Sequence, residues 1–75
     1  MKLYKIVRVS GEFRVIPAEQ LLSFGTEIRP YGSHQDCMAR AEKKANASAR
    51  KASGGRKGRH TVVRNGDTFR VVRVE

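Results

Sequence analysis

Few residues in this 75-residue sequence have the types and spacing to do chemistry. His34 and Cys37 stand i, i+3 at what reads as a helix start, with His60 a distant third. A zinc site presents four ligands, or three and an open position, usually as close pairs. One pair and a remote histidine do not reach that, so no metal is expected. A nucleophilic cysteine needs a base beside it; Cys37 reads instead as a small, half-buried side chain at the core. The seven acids are spread singly, so no two carboxylates are placed for acid–base work. The run "SGGRKGRH" has the glycines and lysine of a phosphate loop, but it lacks the G-x-x-x-x-G-K-[ST] spacing and follows a helix instead of a strand. Neither catalysis nor a cofactor is expected.

What remains is positive charge. Sixteen Lys/Arg against seven Asp/Glu give a formal charge of +9. The excess is local: residues 37–60 hold eight Lys/Arg against Glu42 alone, while the other 51 residues hold eight against six acids. Crowding like charges costs self-repulsion, and such a field draws polyanions. The candidate contacts are Arg40, Lys43, Lys44, Arg50 and Lys51, then Arg56, Lys57 and Arg59, with Arg64 beyond. Arg70 and Arg73 would extend the patch if their strands turned them the right way. Nucleic acid fits such a surface, since each neutralised phosphate releases counterions. An acidic protein surface is the other partner class, met in compact basic proteins such as phage factors that disable host polymerases or defence complexes. Aromatic residues are few and sit at strand or core positions. Phosphate contact is therefore expected over base reading.

These cations need elements to position them. "LYKIVRV" and "EFRVI", joined by Ser10-Gly11, read as a β-hairpin. "PAEQLLSFG" has Pro17 where a helix would begin and Gly25 where it would stop, so a two-turn helix is predicted, with Leu21, Leu22 and Phe24 entering the core. "TEIRP" is a short strand that Pro30 ends or places at a sheet edge. Ser33 is a predicted N-cap, with Asp36 favourable at the positive end of the helix dipole. The helix should run from His34 to about Ala52 and stop at Gly54-Gly55. At about 100° per residue, Met38, Ala41, Ala45, Ser48, Ala49 and Ala52 share one arc. The five helix cations share the opposite one. Residues 53–59 are expected to be a flexible basic loop. "HTVVRNGDTFRVVRVE" is the clearest hairpin, with Asn65-Gly66 as a type I′ turn.

The two hairpins echo each other: "IVR" and "FRVI" return as "VVR" and "FRVV", 56 residues on at every matched position. Their turn glycines differ by one place, which raises the prospect of two different registers.

The stretch "YGSHQDCMARAEKKANASA" is similar to the last helix of double-stranded-RNA-binding domains, where Gly-Ser precedes a basic, Ala-rich helix lying on a three-stranded sheet. The likeness spans about twenty residues. The lysines that follow Gly-Ser in that family are His34, Gln35 and Asp36 here, and the opening helix is missing.

The expected fold is therefore a single α+β domain over residues 1–75, in the order β-β-α-β-α-β-β, with one antiparallel sheet under a long Ala-rich helix. With one cysteine no internal disulfide can form. The N-terminus has no apolar signal segment, nothing approaches a membrane span, and the long helix has an apolar face too alanine-rich to hold a membrane surface. A cytoplasmic setting follows (the host's, were the chain viral).

Overall fold

The computed structural model describes residues 2–54 and 59–74. One helix lies on one antiparallel sheet of five strands. In chain order these are β1 (Tyr4–Val9), β2 (Glu12–Pro17), β3 (Thr26–Gly32), α1 (His34–Ser53), β4 (His60–Asn65) and β5 (Thr68–Arg73). The spatial order is β3-β1-β2-β5-β4, so β3 and β4 are the edges. Pro30 accordingly sits on an edge strand, where its missing N–H interrupts no ladder.

Both hairpins use two-residue turns. Val9 pairs with Glu12 and Arg8 with Phe13 in the first; Asn65 pairs with Thr68 and Arg64 with Phe69 in the second. The registers are therefore the same, and the displaced glycine is absorbed by a change of turn type. Ser10 and Gly11 both have positive φ, 47° and 78°, as a type I′ turn requires. In the second hairpin the central residues are Gly66 and Asp67, not Asn65 and Gly66. Only Gly66 has positive φ, 61°, the pattern of a type II′ turn with Gly first.

Pairing of β2 with β5 sets Phe13 opposite Phe69, Glu12 opposite Arg70 and Arg14 opposite Thr68. With the 56-residue offset, Phe13–Phe69 maps onto itself. An approximate two-fold axis thus passes through that pair, normal to the sheet, and relates the two hairpins.

The predicted helix over Pro17–Gly25 does not form. Pro17 ends β2, paired with Tyr4. Ala18 N–H donates to Leu3 O, and one turn closes where Gln20 N–H donates to Pro17 O at 3.0 Å. Leu21 and Phe24 are exposed, at 87% and 66%, so they do not enter the core. The reason is topological. Because β1 lies between β2 and β3, the chain from Pro17 to Thr26 must cross β1 from one end to the other. It does so through one turn at Pro17–Gln20 and irregular chain up to Gly25, laid closely against β1. The crossing lies on the face away from α1. At Gly25, φ is +99°, and an added Cβ would stand 2.6 Å from Val9 Cγ2 and 3.1 Å from Val7 Cγ1. This close approach is why Val7 and Val9 are buried on the side that carries no helix.

α1 matches its expected span closely. Ser33 caps it, its Oγ accepting from Asp36 N–H at 3.2 Å, and Gly54 closes it. Cys37, Ala41, Ala45 and Ala49 point into the sheet. They pack with Ile6, Phe13, Val15 and Phe69 in a core flanked by Tyr4, Ile28, Met38, Val62 and Val71. Alanines at the contact let the helix axis come close to the sheet, so a small chain fills its core without large side chains.

Candidate polyanion surface

Strand alternation sorts the arginines by face. Phe13 and Phe69 face α1, so Arg8 and Arg64, their cross-strand partners, do too. Each guanidinium lies over the ring it pairs with, Arg8 over Phe13 at 5.9 Å and Arg64 over Phe69 at 5.8 Å. One row across four strands thus reads Arg8, Phe13, Phe69, Arg64. By the same alternation Arg73 shares the helix side and Arg70 faces the other way.

On the face without the helix, two acids hold three of the cations, and Arg29 lies over the Tyr31 ring. Glu12 is 8% exposed and accepts from Arg70 and Arg14. The hydrogen bonds from Arg70, and then from Arg14, hold its carboxyl below the usual carboxylate range. Lys5, 1% exposed, donates to Glu27, which also accepts from the Tyr31 hydroxyl. The bond from Lys5, then that from Tyr31, lowers the Glu27 carboxyl. The same bond to Glu27 pushes the Tyr31 phenol up.

The helix side differs. Among the described residues the acids in ion pairs are Glu12, Glu27 and Asp67, and Asp67 contacts His34. Lys43, Lys44, Arg50 and Lys51 are exposed and reach none of them. Ion pairs thus gather on one face, while these four helix cations carry none among the described residues.

The five helix cations do not behave as one set. Arg40 folds back, donating from Nη1 to Pro30 O at 2.8 Å, and so ties α1 to the β3 edge. Lys44 and Lys51 lean the same way and reach no ion-pair partner among the described residues. With Arg8, Phe13, Ile28, Ala47 and Ser48 they line an open groove of about 350 Å³ between α1 and the sheet. Lys43 points outward. Arg50 instead borders a second cleft beside β4, with Asn46, Ser53, His60 and Val62. Arg64 is on that far side of the helix, roughly 14 Å from Arg8 across three strand spacings.

Arg59 is exposed at the start of β4, near the end of α1, because Ser53 Oγ accepts from His60 N–H at 2.8 Å. Arg56 and Lys57, with the middle of the 53–59 segment, lie outside the described residues. Arg8 was not singled out from sequence. The signal was present in its spacing, since Arg8 and Phe13 are directly cross-strand in any hairpin with a two-residue turn at Ser10-Gly11.

The metal candidates stand apart. His34 Nε2 lies 3.1 Å from Asp67 Oδ1 and its ring packs edge-on against Tyr4. Cys37 is buried and its Sγ donates to Tyr4 O. His60 is at the other end of the 20-residue helix. Among the described residues no three His, Cys, Asp or Glu converge on a common point, and no helix is long and apolar enough to cross a membrane. Compared with family models, curated proteins and solved structures, the chain finds no match in any of the three.

Proposed function

We propose that the chain is a non-catalytic nucleic-acid-binding protein that holds the phosphate backbone on the helix side of its sheet. One observation carries this reading: Glu12 and Glu27 hold Lys5, Arg14 and Arg70 on the face away from α1, while Lys43, Lys44, Arg50 and Lys51 are exposed and pair with no acid among the described residues. Phosphates would complete that half of the charge. Arg8 joins these four, and Arg56, Lys57 and Arg59 belong to the segment that follows the helix.

The test is direct binding to short single strands and duplexes of DNA and RNA over a salt series. With five to eight phosphates contacted, log affinity should fall against log salt with a slope of about −4 to −7. No binding at low salt would overturn the proposal.

A second reading, docking on an acidic protein surface, draws support from β4. It is a regular edge strand without proline, and Val63 is 48% exposed on it. An open edge of this kind accepts an added strand. The same cations would steer that encounter, and binding unaffected by nucleic acid but lost on blocking β4 would favour it.

A further inference from the structure

We infer that the groove between α1 and the β1–β3 side of the sheet seats one unstacked nucleobase, which makes the ligand class single-stranded nucleic acid. This rests on the nucleic-acid reading above and narrows it.

Three clefts can be compared. The one opposite the helix is lined by Glu12, Arg14, Val63, Asn65, Thr68 and Arg70, and its arginines are already held by Glu12. The one beside β4 has Arg50 as its only Lys or Arg among the described residues, with Ala49 and Val62 as its larger apolar contributions. The third alone brings together three cations outside any ion pair among the described residues, Arg8, Lys44 and Lys51, with an apolar floor of Ile28 and Ala47 beside the largely covered Phe13. A site for phosphate alone has no use for that floor. A duplex keeps its bases stacked inside and offers phosphates and groove edges, so it would leave the floor empty. An unstacked base has an apolar face to lay there and an edge for hydrogen bonding.

Arg8 is built for the stacking part. Its guanidinium lies 5.9 Å from the Phe13 ring centre; Arg8 is exposed and Phe13 only 5% exposed, so the arginine is the group a base in the groove would meet. Bases stack on arginine planes as they do on aromatic rings. Lys44 and Lys51 are seven residues apart on α1, about 10 Å along its axis. They bracket Ala47 and Ser48, and so can meet the phosphates on either side of a seated nucleotide. Arg40, tied to Pro30 O, holds this flank of the helix to the sheet.

The experiment compares an oligothymidine, an abasic strand of the same length and a duplex of the same length, by fluorescence anisotropy at one low salt concentration. The intact strand should bind about tenfold more tightly than the abasic one. Arg8→Gln should abolish that preference. Lys43→Gln, the same charge change outside the groove, should weaken both strands and keep the preference. Melting of each variant checks that it is folded. A fluorescent purine analogue in the strand gives a second readout on the unmodified protein, and its emission should change on binding. Equal affinity for intact and abasic strands, or equal effects of Arg8→Gln and Lys43→Gln, would overturn the base seat and leave phosphate binding standing. No binding to any of the three would overturn the nucleic-acid reading itself, and this inference with it.

Discussion

Phe13 and Phe69 face each other across the β2–β5 pairing, each under the guanidinium of its own hairpin's arginine. They join the two hairpins into one sheet and pack in the core under α1. Truncating a buried Phe costs about 3–5 kcal/mol, and a domain this small rarely has more than about 5 kcal/mol to lose. Phe69→Ala should therefore be largely unfolded at room temperature by circular dichroism. Phe69→Leu should still melt cooperatively, about 5–10 °C lower. Wild-type melting of Phe69→Ala would show that the two hairpins do not depend on this pair.

The Glu12 clamp predicts an acid-labile fold. Its folded carboxyl lies below the ordinary glutamate range because Arg70 and Arg14 bond to it. The native state therefore binds fewer protons than the unfolded chain, so the stability is fully present above the unfolded pKa. It is lost as pH falls through the lower, folded one. Glu27 is shifted the same way and shares that window. Glu12→Gln should lose about 2 kcal/mol at neutral pH and show a shallower decline below pH ~5 in denaturant titrations. An unchanged pH profile would mean the clamp contributes nothing.

The crossing segment predicts a contrast between neighbours. Gly25→Ala would set a methyl against Val9 at a positive φ, and should cost about 1–3 kcal/mol in chemical denaturation. Leu21→Ser and Phe24→Ser remove apolar side chains that are mostly exposed, and should stay within about 0.5 kcal/mol of the parent. Large losses at Leu21 or Phe24 would restore the two-turn helix, with these side chains in the core, that the residues between Pro17 and Gly25 predict.

That contrast marks where the sequence is readable. Ser33, the alanine arc and Gly54 specify α1 through contacts a few residues apart, and the sequence shows them directly. The two hairpins are legible for the same reason. "PAEQLLSFG" has sound helix chemistry, but its path is decided by β1 entering between β2 and β3, a pairing remote in sequence. The charged surface divides along the same line. Helical spacing places Arg40 and Lys44 on one arc, yet only packing against β3 shows that one is engaged and the other open. Arg8 sits in a strand whose facing cannot be settled until the helix is laid on it.

Arg40 and Lys44 therefore give the sharpest separation between fold and binding. They are one helical turn apart, carry the same charge, and would contribute equally to a uniform basic face. Arg40, however, donates to Pro30 O and braces the helix against β3, whereas Lys44 reaches no acid and borders the groove. Arg40→Ala should cost about 1 kcal/mol, a fall of roughly 4–8 °C in melting temperature for a domain this size. Its effect on the salt slope of nucleic-acid binding should be small. Lys44→Ala should melt with the parent and reduce the slope by about one, the share of a single phosphate contact. If the two variants exchange these behaviours, the brace and the contact have been assigned to the wrong residues. If both lower the slope equally and neither changes the melting temperature, the cationic face acts as one diffuse field, and the groove has no special part in it.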